Sequence, residues 1–158
     1  MSESFFDLLQ PGMVQELGDH TFTREAIIAF AEKYDPQRFH LSDEGATKSH
    51  FGALCASGWH TAAAWMRLNV ERGRGELIRL TGYVGPEPVM GPSPGLRNLK
   101  WTHPVYAGDT ITYRTTITGK RKNPRREGWG LLTSNTQGFN QDGTLVITMD
   151  GAVTLRTD

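Results

Sequence analysis

An aspartate and a histidine stand five positions apart in the segment Asp35-Pro36-Gln37-Arg38-Phe39-His40. A carboxylate and an imidazole that share a pocket can hold a water molecule and move its protons near neutral pH. Both side chains have to reach one point for that chemistry, and Pro36 provides the means. The residue before a proline is disfavoured in α-helix, so the amphipathic segment Glu25 to Tyr34 should end at Asp35. Past that break the two side chains are free of helical spacing and can turn toward each other. The segment is a candidate acid–base dyad, with Gln37 a further candidate for its pocket. The competing reading makes Asp35 a helix terminator and His40 a hydrogen-bonded structural residue.

A second stretch begins at Cys55-Ala56-Ser57-Gly58-Trp59-His60-Thr61. Ser57 suits an N-cap, and Gly58 leaves the first helical amide unobstructed. Trp59 to Arg72 is predicted to be one helix, rich in Ala, Trp, Met and Leu, with Gly73 at its C-cap. Apolar groups cover so much of its circumference that it should be buried. A buried helix start with bare amides can receive an oxygen that develops negative charge, which makes the Gly58 N–H a candidate oxyanion donor. Ser57, Trp59 and Met66 are candidate pocket residues beside it. Ser57 and His60 lack a third group to orient them as nucleophile and base, so Ser57 reads as a cap.

These residues need a frame. Thr23 can cap the first helix, whose apolar positions Ala26, Ile27, Phe30, Ala31 and Tyr34 follow helical spacing. A short strand is predicted over Val14 to Phe22, and further strands over Leu77 to Val84 and Leu96 to Thr102, separated by the turn-rich loop Gly85 to Gly95. Thr110 to Gly119 alternates, with Ile111, Tyr113, Thr115 and Ile117 on one face. Gly130 to Asn140 and Leu145 to Leu155 should pair through Gln141-Asp142-Gly143. Pro104 to Asp109 reads as a turn in which Asp109 bonds backbone amides. The pattern is α+β: a curved antiparallel β-sheet of about five strands wrapped around a long central helix.

Composition narrows the function. The 158 residues suffice for one domain with a sizeable core, and Lys plus Arg balances Asp plus Glu at 17 each. That neutrality gives no support for a nucleic-acid or membrane-surface role. The single cysteine, Cys55, excludes a disulfide within the chain and fits a reducing, cytoplasmic compartment. The start, Met1 to Asp7, has no secretory signal pattern, and no apolar run approaches the length of a membrane span. His20, His50, His60 and His103 lack metal-ligand spacing. The loop Gly119 to Gly128 carries a local basic patch, of which Lys122, Arg125 and Arg126 are candidates for contacting phosphate.

Three motifs in register resemble the MaoC-like dehydratases, the (R)-specific enoyl-CoA hydratase group of the hot-dog superfamily. The family pattern Asp-x-Asn-Pro-x-His has its counterpart in Asp35 to His40, the His-Gly before the central helix in Ser57-Gly58, and Pro-Val-x-x-Gly-Asp in Pro104 to Asp109. The departures are Pro36 shifted to follow the aspartate, Gln37 for asparagine, Ser57 for histidine, and Met66 where some hydratases carry a pocket serine. They suggest a distinct Asp-Pro-Gln-x-Phe-His branch.

The resemblance implies a hot-dog fold and reversible hydration of a trans-2-enoyl thioester to an (R)-3-hydroxyacyl thioester. Asp35 and His40 would hold the water, and the Gly58 amide would stabilise the enolate-like oxygen. No metal or redox cofactor is implied; coenzyme A or a carrier-protein pantetheine arrives with the substrate. The resemblance further implies a homodimer, with the Gly85 to Gly95 loop shaping an acyl tunnel at the seam. Two alternatives stand beside it. A hot-dog acyl-CoA thioesterase would carry its acid within the central helix, where only Glu71 occurs near the far end. A non-catalytic acyl-thioester binding domain is compatible with the departures at Gln37, Ser57 and Met66.

Overall fold

Ile111, Tyr113, Thr115 and Ile117 are all buried, and that alternation sets which face of β3 (Thr110–Lys122) meets the core. In the computed structural model, which describes residues 3–158, β3 lies second in an antiparallel sheet ordered β1-β3-β4-β5-β2. The other strands are β1 (Val14–Thr21), β2 (Leu96–Trp101), β4 (Trp129–Phe139) and β5 (Leu145–Arg156). Met1 and Ser2, where the reading of the chain start begins, lie outside the described residues. The β4–β5 turn forms as the sequence predicts. The Asn140 side-chain oxygen accepts the amides of Asp142 and Thr144, and Gly143 takes the positive φ of 79° that the turn requires.

Helix α5 (Gly58–Leu68) lies across the concave face of this sheet, the hot-dog arrangement. Its sheet-facing side carries Thr61, Ala64, Trp65 and Leu68, which pack with Tyr113, Ile147 and Met149. Two polar ties fix its register on the sheet. The Tyr113 hydroxyl donates to the Thr61 carbonyl at 2.8 Å, and the Trp65 indole N–H reaches the Thr115 hydroxyl at 3.5 Å. Before α5 run α1 (Phe5–Leu8), α2 (Arg24–Tyr34), α3 (Arg38–Leu41) and α4 (Asp43–Thr47). Thr23 caps α2 through the Ala26 amide, and the helix ends at Tyr34 with Asp35 as C-cap, as Pro36 dictates.

Three expectations are corrected. The segment predicted as a strand over Leu77 to Val84 is helical through Thr81, as part of α6 (Arg74–Thr81). A π-helical turn over Asn69–Gly73 joins α5 to α6, so Gly73 continues the helix in place of capping it. The left-handed stop comes at Gly82, with φ 64°. Burial decides the outcome: Leu77 is 3% exposed and packs with Ile117, Leu132 and Leu155, while the Gln15 amide donates to the Gly73 carbonyl at 2.8 Å. Secondly, α5 is covered on one side only; Trp59, Met66 and Val70 are exposed, at 57%, 45% and 74%. Thirdly, β3 runs on to Lys122, so the basic loop begins only after it.

The helical identity of the Arg74–Thr81 segment makes two glycines respond oppositely. Gly75 lies inside α6 with open space where a Cβ would go, so Gly75→Ala should stabilise by about 0.5–1 kcal/mol. Gly82→Ala, at positive φ, should destabilise by about 1 kcal/mol. Urea unfolding midpoints of the two variants check both signs.

Candidate active site

The turn after α2 is built from consecutive backbone bonds. The Gln37 amide donates to the Asp35 carbonyl at 2.8 Å and the His40 amide to the Gln37 carbonyl at 2.9 Å. These fold the chain back so that α3 presents His40 toward Asp35. His40 is buried at 5% exposure, and its Nε2 stands 3.4 Å from Asp35 Oδ2. The other ring nitrogen settles the tautomer. Nδ1 lies 2.6 Å from the Cys55 carbonyl oxygen, which can only accept, so Nδ1 carries the proton. In the neutral ring Nε2 therefore offers a lone pair toward Asp35. Gln37 Nε2 donates to Asp35 Oδ1 at 2.7 Å, which leaves Oδ2 as the carboxylate oxygen turned to the histidine.

Burial pushes the Asp35 carboxyl up. Hydrogen bonding from Ser57 and Gln37, together with the attraction of His40, outweighs that and holds it below its ordinary range. Ser57 is fully buried, and its hydroxyl caps α5 by accepting the Trp59 amide at 3.2 Å. The sequence suggests the cap; the link to Asp35 carries no sequence signal, because it joins positions 35 and 57 through space.

Gly58 opens α5, where the first amides have no intrahelical partner. It lines the same cavity of about 460 Å³ as Asp35, Gln37, His40 and Trp59. Trp101 is the residue that sequence reasoning missed. Its indole N–H donates to the Gly58 carbonyl at 2.9 Å, and a Cβ added at Gly58 would collide with its ring. That is the local reason for glycine here. Phe39, Phe51, His50 and His103 also line the cavity, and none of them carried a distinguishing spacing in the chain.

Several candidates are not brought to this cavity. Met66 is on the open side of α5, about two turns along from Gly58. Lys122 borders a separate depression with Trp129 and Arg156, and the Arg126 guanidinium sits 4.2 Å from the Trp129 ring centre. The Gly85 to Gly95 loop is at that end too, with Met90 bridging to Leu155 and the Gly91 amide donating to the Thr154 carbonyl at 2.7 Å. Along β5, Val146 at the cavity and Arg156 are about 33 Å apart at strand rise, so neither segment serves the cavity of its own chain. Cys55 is buried, and its thiol is pushed up to about 11 by that burial, which suits a packing residue and no nucleophile. Asp109 accepts the Tyr106 amide at 2.9 Å, the turn role the sequence suggests.

With this geometry in view, the comparisons are specific. The MaoC like domain family model matches residues 9–131, and the chain belongs to that family. The crystal structure of a MaoC-like dehydratase from Rhodospirillum rubrum is 30% identical, covers 98% of this chain and 97% of its own, and superposes with a TM-score of 0.80. An (R)-hydratase from A. caviae involved in PHA biosynthesis is 24% identical over 92% of this chain and 96% of its own, with a TM-score of 0.66, a likeness of fold. The protein YdeM of Bacillus subtilis (strain 168) is 29% identical over 119 residues, 75% of each chain.

A second histidine, His60 in α5, yields a stability test. His60 is 9% exposed, stacks flat on Phe30 at 4.6 Å between ring centres, and has no partner for Nδ1 among the described residues. Burial, reinforced by His20, pushes its pKa down to about 4. Its neutral form is therefore the folded one. Stability should be full above pH ~6.5 and fall by about 3 kcal/mol as pH drops toward 4, because the unfolded chain takes up the proton first. Thermal melts across pH 4–7.5 should show that loss, and His60→Phe should flatten it.

Proposed function

We propose that this MaoC-like protein is an acyl-thioester hydro-lyase, adding water reversibly to a trans-2-enoyl-CoA, or a carrier-bound equivalent, to give the (R)-3-hydroxyacyl thioester. The observation that supports it best is the tautomer-fixed His40 facing Asp35 at 3.4 Å, in the same cavity as Gly58. That separation exceeds a strong direct N–H···O bond. It suits a water lying to one side and donating one hydrogen to Oδ2 and one to Nε2. As the water oxygen attacks the β-carbon, Asp35 takes one of its protons and the other stays on the new hydroxyl; Nε2 of His40 then receives the proton from Asp35 and relays it to the α-carbon. The thioester oxygen gains charge and is met by the Gly58 amide at the start of α5, a contact worth about 3 kcal/mol of barrier. This scheme asks for no metal or redox group; the pantetheine thioester comes with the substrate.

The thioesterase alternative lacks its acid. Glu71 is in the π turn, exposed and paired with Arg67 at 2.9 Å, well away from the cavity. We take the working unit to be a homodimer. The outer edge of β2 is unpaired among the described residues, and its Trp101 packs on the exposed Trp59 of α5; Ala63 and Met66 on α5 and Val70 in the π turn are exposed as well. Two-fold antiparallel pairing of β2 with a second β2 would run the partner strand β5 opposite to this one. The partner's basic hairpin end and Gly85 to Gly95 loop would then approach this chain's cavity. In that arrangement Lys122, Arg125 and Arg126 reach the coenzyme A phosphates of the neighbouring site.

Asp35→Asn and His40→Ala should each lower kcat for crotonyl-CoA hydration by about 10²–10⁴-fold while KM changes little. The loss of enoyl-thioester absorbance measures hydration, and a parallel free-thiol assay separates it from hydrolysis. Near-native turnover in either variant returns the pair to a structural role. Because the Asp35 carboxyl is held low, the acid limb of kcat/KM should carry no loss from Asp35 until pH falls below the ordinary carboxylate range. Light scattering at low micromolar concentration should give twice the 17.6 kDa chain mass. An active monomer would refute the seam.

A further inference from the structure

The walls of the cavity are more informative than the departures in its motifs. Phe39 and Phe51 form one aromatic pair in the lining, edge to face at 4.9 Å between ring centres and 62° between planes. Phe39 is also edge to face with the catalytic candidate His40, at 4.6 Å and 83°. Trp59 and Trp101 form a second such pair in the lining, at 5.1 Å and 81°. The two pairs come from unrelated parts of the chain: α3 and the segment after α4 for the first, α5 and β2 for the second. Trp101 is held in place by its bond to the Gly58 carbonyl, so its ring is fixed beside the oxyanion candidate. Aliphatic lining is confined to small groups such as Ala56, Val105 and Val146.

An acyl group with its thioester oxygen at Gly58 and its β-carbon at Asp35 and His40 projects its next substituent into a cavity lined by these rings. A straight alkyl chain has no face to offer them. A flat ring gains edge-to-face and stacked contacts with both pairs. A volume of about 460 Å³ is at the modest end for ligand pockets, enough for one ring and the end of the pantetheine arm. We infer that the pocket selects an acyl group bearing an aromatic ring on the β-carbon. The preferred pair is then a 3-aryl-3-hydroxypropanoyl thioester and its 3-arylacryloyl product. This rests on the hydro-lyase reading above.

The step balances without a co-reactant. The Cα–H bond and the Cβ–O bond break, the Cα–H electron pair becomes the new double bond, and the hydroxyl leaves with a proton as water. Conjugation with the ring favours the unsaturated thioester, so dehydration is the direction to measure.

The experiment compares racemic 3-hydroxy-3-phenylpropanoyl-CoA with 3-hydroxyhexanoyl-CoA by the rise of enoyl-thioester absorbance. Calorimetry runs beside it with the unreactive 3-phenylpropanoyl-CoA and hexanoyl-CoA. We expect kcat/KM to favour the phenyl substrate by about tenfold or more, and Phe51→Leu and Trp59→Leu each to shrink that ratio. The ratio of two substrates on one variant cancels any general loss of activity. Equal rates, or a preference for the hexanoyl chain, overturn the inference and leave the hydro-lyase reading intact. No turnover of either substrate, with 3-phenylpropanoyl-CoA still bound about tenfold tighter and Phe51→Leu abolishing the difference, overturns the hydro-lyase reading while the pocket selectivity stands. Absence of both turnover and differential binding overturns both.

Discussion

The hydrogen bond from His40 Nδ1 to the Cys55 carbonyl, 2.6 Å long, is the constraint on which the rest of the site depends. It ties the turn after α2 to the strand-like segment that leads into α5, so the two halves of the site are joined through one ring. It also fixes which nitrogen faces Asp35, and a neutral imidazole without that bond would be free to present either tautomer. Around it the polar groups are allotted with little redundancy. Gln37 occupies one carboxylate oxygen, Ser57 caps α5, and His40 faces the carboxylate oxygen that remains.

Positioning at this precision needs a stiff support, and the sheet provides it. Tyr113 and Thr115 on β3 are buried polar side chains that tie down α5 at Thr61 and Trp65. A helix held only by apolar contact could slide by part of a turn; these bonds are lost if it does. The π turn after Leu68 then lets the chain bend and continue as α6, which closes a second apolar cluster around Leu77, Ile117 and Leu155. The same geometry leaves one side of α5 bare. Trp59 and Met66 on that side, and Val70 just beyond α5, are large apolar groups left exposed.

Much of this was legible in the chain itself. The alternation at Ile111 to Ile117, the Asn140 to Gly143 turn and the Thr23 and Ser57 caps are local features, each decided by neighbours a few residues away, and each formed as read. Pro36 marked the end of α2 because its restriction on Asp35 acts over one bond. The Asp35–His40 pairing was also open to inference, since a short turn determines it.

What the sequence could not determine was whatever depended on distant partners. Leu77 to Thr81 reads as a strand by composition, yet burial against Ile117 and Leu132 draws it into a helix, because tertiary contact outweighs weak local propensity. Gly73 looked like a helix stop and is instead a point of close packing against Gln15 and Asn69, with Gly82 taking the left-handed stop. Trp101 reaches Gly58 across 43 positions, and the basic hairpin lies at the far end of β5 from the cavity it was matched to. Local chemistry thus determined most of the elements and the turn that brings His40 to Asp35. Only the folded sheet decided which aromatic rings surround the dyad and which charges stay away, because those distances arise from strand order, and strand order is set by packing across the whole chain.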